Sequence, residues 1–175
     1  MHTTSSCPEG DDKLLHTISV VQVLLETSEH PEARRAYLPE LLENLNAFEE
    51  SEELMYWSML LLLEMNEADI VRAYLLPFLQ AHPYCQWAWA LMGISFLELE
   101  PELALACSCK ACCLEADSRF YTDTERGMIL GLLLTGSPFT VPFLPKHFVE
   151  HGSWLAESVF DFPHQQYTPT VEVRI

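Results

Sequence analysis

Two groups of residues in this 175-residue chain have types and spacing that could bind a metal. The first is Cys107-Ser108-Cys109-Lys110-Ala111-Cys112-Cys113, four thiols within seven residues. On a helix Cys109 shares a face with Cys112 and Cys113, while Cys107 points elsewhere. No histidine lies nearby, and no second ligand pair stands at zinc-knuckle spacing. Small apolar cysteines filling a tight helix–helix interface is the stronger reading. The second group is His147-Phe148-Val149-Glu150-His151. It has neither the hydrolase order His-Glu-x-x-His nor, convincingly, the inverted form with its distal glutamate. A metal-dependent hydrolase centred on His147, Glu150 and His151 therefore ranks below plain surface histidines beside a carboxylate.

Other chemistry is harder still to find. Six glycines, none in a glycine-rich run, leave no phosphate-cradling loop. The pairs Glu49-Glu50 and Glu52-Glu53 flank Ser51 at a helix start and read as solvated charge, not as a general acid and base. The expectation is a protein with no catalytic residue, no metal and no cofactor, and so not an enzyme.

Charge narrows the partners. Nine Lys+Arg against 26 Asp+Glu give a net charge of −17, which repels phosphate backbones and anionic lipid. Nucleic acid is excluded as a partner, and a protein segment of apolar or basic character is the natural counterpart. Residues 73–97 and 127–145 contain no charged side chain. Gln80-Ala81-His82-Pro83 and Gly136-Ser137-Pro138 break them into pieces too short to span a bilayer, so membrane insertion is not expected. The first twelve residues lack the basic start and apolar run of a secretory signal. The cysteines are accordingly expected to be reduced, in a cytoplasmic protein.

Low glycine and apolar residues at helical spacing predict an all-α fold. Residues 1–11 read as a flexible N-terminus. A first helix runs from Asp12 to Leu25. A second opens at Pro31 and reaches about Phe48, with Pro39 kinking or dividing it. Ser51 is the N-cap of a third, to about Met65. Asn66 is expected to cap a fourth, ending near His82-Pro83. Tyr84–Leu99 forms a fifth, and Pro101 opens a sixth to about Ala116. Thr122 and Glu125 make a capping box for a seventh, closed by Gly136. Residues 137–175 carry many prolines and aromatics, and read as an irregular capping segment packed on the helices, with a short helix near Ser153–Val159.

A 34-residue step runs through these helices. A unit started at Gln86 has Trp89, Gly93 and Phe96 at its fourth, eighth and eleventh positions. One step earlier, from Glu52, these are Met55, Met59 and Leu62. One step later, from Phe120, Gly127 and Leu130 fill the last two. On these residues the chain resembles the tetratricopeptide repeat family over about 52–135, with units near 52–85, 86–119 and 120–136 and a degenerate unit at 18–51, so that the helical-repeat domain spans 12–136. It departs from the family at Leu105, Cys109 and Cys112, which stand where helix B carries Ala, an aromatic and Ala, and at Pro77 and Asp117.

The resemblance implies stacked α-α hairpins whose first helices line a concave groove. The groove positions are Tyr56, Leu60 and Leu63, then Trp87, Ala90, Ile94 and Leu97, then Tyr121, Met128 and Leu132. These are apolar and aromatic, unlike the basic clamp of adaptors that hold an acidic C-terminus. Size, acidity and repeat number look like the tetratricopeptide chaperones of bacterial type III secretion, which implies a secreted client protein held in the cytoplasm, with Trp87 as a central anchor. A second copy of the chain is another candidate partner, and a structural subunit or scaffold is the other class of reading. Whether the groove is open, or is core covered by the C-terminal segment, stays open at this point. Pro138–Pro145, or the aromatics after it, is expected to occupy part of it.

The cysteine reading has a direct test. The purified protein should contain no stoichiometric zinc, and chelator should leave its helical circular dichroism unchanged. One zinc per chain, lost together with the fold, would replace packing by metal binding.

Overall fold

The computed structural model describes residues 9–27, 31–114 and 156–161. Among them every regular element is helical: α1 Glu9–Glu26, α2 Pro31–Ala47, α3 Glu52–Glu64, α4 Ala68–Ala81, α5 Gln86–Phe96, α6 Pro101–Cys113 and a 3-10 turn, Ala156–Phe160. The expected seventh helix and Pro138–Pro145 lie outside the described residues. The helices fall into two compact units, Met1–Asn66 and Glu67–Ile175. The boundary separates α3 from α4, which the 34-residue register assigns to one repeat.

In the first unit α3 packs chiefly on α1, and α2 lies against both. α1 turns Ile18 and Val21 inward, and α2 contributes Leu41 and Leu45. α3 is apolar nearly all round and buries Leu54, Met55, Met59, Leu61 and Leu62, as a helix without a polar face must. Its start follows the expected chemistry, with the Ser51 hydroxyl accepting from the Leu54 amide at 3.3 Å and Glu52 and Glu53 in the first turn. Its end does not. Asn66 has φ of 61° and donates its backbone N–H to the Leu63 carbonyl at 3.0 Å. It terminates α3 in a left-handed conformation that Asn tolerates better than most residues. The N-cap of α4 is instead Glu67, with no side-chain cap.

A buried arginine ties the three helices together. Arg34 of α2 donates from Nε to the Leu24 carbonyl at 2.9 Å and from Nη2 to that of Leu25 at 3.3 Å. Its Nη1 lies 3.6 Å from Glu64 of α3. Leu24 and Leu25 belong to the last turn of α1, which has no basic residue of its own.

In the second unit α5 is the middle element, packed on α4 on one side and α6 on the other. It carries no charged residue, and Ile94 is the one position in Gln86–Phe96 that keeps solvent access. Arg72 of α4 donates to the Ser95 carbonyl of α5 and to Asp69, with its guanidinium 5.1 Å from the centre of the Phe96 ring. Pro39 and Pro77 sit inside α2 and α4 without ending them. Both are exposed, where water can satisfy the carbonyl that loses its partner.

α5 and α6 approach most closely at Gly93. A Cβ there would lie 2.9 Å from the Ala104 carbonyl oxygen, 2.9 Å from Ser108 Oγ and 3.3 Å from Cys107 Cβ. The backbone carbonyl cannot swing aside, and Ser108 Oγ is itself held by a 3.0 Å bond to that same oxygen. Gly93→Ala should therefore cost about 1–3 kcal/mol by overpacking, measured by chemical denaturation. An unchanged midpoint would mean that the two helices are free to move apart.

Candidate functional site

α3 and α5 bear the described groove positions, one helix in each unit. Tyr56, Trp87 and Ala90 are buried, whereas Leu60, Leu63, Ile94 and Leu97 are half-buried. Tyr121, Met128 and Leu132 lie outside the described residues. Trp87 is 0% exposed. Its ring packs against Phe78 of α4 at 5.2 Å, and Phe78 in turn stacks on His82 at 4.6 Å. Trp87 is thus buried with Phe78 of α4 against its ring, so in α5 Ile94 keeps solvent access, with the half-buried Leu97 just beyond the helix.

Burial repeats at the 34-residue step. Met55 and Trp89, Met59 and Gly93, Leu62 and Phe96 are all buried. Leu60 and Ile94, Leu63 and Leu97 all keep partial access. The sequence reading passed over Trp57, which is half-buried and meets Tyr56 edge-on at 5.0 Å. Its signal was the spacing to Leu60 and Glu64, three and seven residues on, which continues one side of α3.

A second cluster surrounds Trp89, whose indole N–H donates to the Pro83 carbonyl at 2.9 Å. The 3-10 turn packs against α6, with Phe160 edge-on to Trp89 at 5.9 Å. Lys110 Nζ lies 5.9 Å from the Trp89 ring centre and 3.5 Å from Glu157. The short helix expected near Ser153–Val159 is this turn. Lys110 and Phe160 were not among the expected site residues, because nothing local relates positions fifty residues apart.

Cys107 of the cysteine cluster lies at the α5–α6 contact, 3.3 Å from where a Cβ at Gly93 would be. Cys107 and Cys109 are fully buried reduced thiols, and Cys113 is exposed. Burial pushes the Cys107 thiol up, with the neighbouring Cys109 adding to the effect against a backbone hydrogen bond that lowers it. Among the described residues no three His, Cys, Asp or Glu side chains come together as a metal set. His147, Glu150 and His151 lie outside them. An open cleft of about 530 Å³ in the first unit is lined by Leu14, Ala47, Phe48, Glu49, Glu50 and Ser51. None of the described helices is long and apolar enough to cross a membrane.

Over residues 54–138 the chain matches a family model described as a domain of unknown function (DUF7017). No curated protein and no solved structure matches it.

The thiols provide a readout of this packing. Cys113 should be alkylated in the native protein near pH 8, with Cys107 and Cys109 protected. The raised folded pKa of Cys107 means that its contribution to stability is complete below the unfolded thiol's pKa of about 8.5 and is lost as pH rises above it. Peptide mass mapping should show Cys107 reacting only as the protein unfolds. Rapid native labelling of Cys107 would show that the α5–α6 contact opens.

Proposed function

We propose that the chain is a non-catalytic protein-binding module, a chaperone or adaptor that holds an apolar segment of a partner protein against the exposed faces of its helices. The observation that carries this reading is the repeating burial pattern. Positions that join helices are closed at both steps, while Leu60, Leu63, Ile94 and Leu97 keep partial access at equivalent places. In water such half-exposed aliphatic positions gain from being covered, and a net charge of −17 keeps a carrier with exposed apolar surface in solution.

The finer assignment is a set of tetratricopeptide-like hairpins. It is supported by Gly93 lying at the contact of α5 with α6 and by the 34-residue recurrence. The cytoplasm is the compartment that fits reduced, buried thiols. A second reading is a structural subunit of a larger assembly, favoured by Leu15 and Val23 of α1, which are 61% and 56% exposed.

Affinity purification from the native cell tests the proposal. The wild-type chain should carry a partner in fixed ratio, and Ile94→Gln should weaken it by about tenfold, as loss of a surface anchor does, with little change in thermal midpoint. Trp87→Ala should instead cost about 3–5 kcal/mol of stability, as a buried aromatic does. Retention of the partner at full affinity by Ile94→Gln would remove the α5 face from the binding site.

A further inference from the structure

The 3-10 turn at Ala156–Phe160 is held as a bound peptide is held. Five residues make little more than one turn, and such helices are poorly stabilised by their own hydrogen bonds. Beyond its own turns, Asp161 donates to the Ser158 carbonyl at 3.1 Å. The turn packs against α6. Ala156 and Val159, three residues apart and so on one side of a 3-10 helix, are both 0% exposed. The Phe160 and Trp89 rings meet at 76°, and Glu157 reaches Lys110.

Charge makes that last contact selective. In the second unit the described cations are Arg72 and Lys110, and Arg72 is committed to Asp69 and the Ser95 carbonyl. Among the described residues of that unit, Lys110 is thus the cation that meets the turn, set beside the indole ring in a chain of net charge −17. A ligand for this place needs a carboxylate next to a small residue, then an aliphatic side chain two residues on, then an aromatic one.

We propose that the Trp89–Lys110 surface of α5 and α6 is a binding site for short acidic–aromatic peptide turns, and that residues 156–160 are its internal ligand. The partner is a protein segment of the same pattern, small–acidic–x–aliphatic–aromatic, which displaces the chain's own turn. A partner segment that offers the same ring and the same carboxylate makes the same contacts and so competes with the turn directly. This inference rests on the protein-binding reading above, but it uses a different face from Ile94 and Leu97.

The probe is a labelled, end-blocked peptide of Ala156–Asp161, Ala-Glu-Ser-Val-Phe-Asp. It should bind a full-length Val159→Asp/Phe160→Ala chain at least tenfold more tightly than wild type, because the variant's own turn no longer competes. Adding Lys110→Glu should reverse most of that gain. If the double variant loses its helical signal, hydrogen exchange on the wild-type chain decides instead. Excess peptide should then speed exchange at residues 156–161 and leave α5 and α6 protected. Unchanged exchange at saturating peptide would make the turn a fixed part of the core and overturn the proposal. Dimers of the double variant that bind no peptide would overturn it too, since a second copy would then cover the surface. Ile94→Gln should leave peptide binding unchanged, so failure here with Ile94-dependent partner capture intact would sink only this inference.

Discussion

Five of the six described α-helices end without a basic residue in the last turn, and for α1 and α5 a neighbouring helix supplies the donors to the terminal carbonyls. The last carbonyls of a helix lack intrahelical donors and carry the negative end of its dipole. Arg34 answers this for α1 and Arg72 for α5, each reaching across from a neighbouring helix. Burying a guanidinium is costly, and the cost is offset only when its donors are all used. Arg34 therefore has to sit where the Leu24 and Leu25 carbonyls and Glu64 converge. That condition fixes α2 against α1 and α3. Arg72, stacked on Phe96, does the same between α4 and α5. In a chain with nine cations, two are committed to holding helix ends.

The α5–α6 contact depends on a different constraint, the absence of a side chain at Gly93. With no Cβ, the backbone of α5 comes within van der Waals reach of the Ala104 carbonyl, Cys107 and Ser108. Only small groups fit on the facing side of α6 at that point, and this explains Cys107 there. A thiol fills slightly more volume than a methyl group and brings no hydrogen-bonding demand that burial would leave unmet. The close contact also places Lys110 of α6 beside Trp89 of α5, and so it creates the surface that receives the 3-10 turn.

The two surfaces differ in character. Within the second unit, the half-buried Ile94 and Leu97 offer apolar area without direction. The Trp89–Lys110 surface offers an indole ring and a cation, which meet Phe160 and Glu157. Area supplies adhesion, whereas charge and aromatic geometry supply selection.

Helix existence was readable from the chain alone because it is local. Apolar spacing, Ser51 as an N-cap and Pro101 at a helix start act within a few residues of themselves, and the helices lie within a few residues of where these signals place them. The 34-residue step was equally readable, since it is a property of the sequence. Nothing local decided that Asn66 would close α3 instead of opening α4, because either role suits an Asn between two helices. Periodicity also said that Trp87 and Ile94 share a side of α5, but not which part of that side α4 would cover. Phe78 packs against Trp87, which is buried, while Ile94 keeps solvent access. The pairing of Lys110 with Glu157, and of Trp89 with Phe160, was likewise settled only in three dimensions. Burial and partnership between distant residues depend on which surfaces the whole chain brings together, and a helical face carries no record of what will cover it.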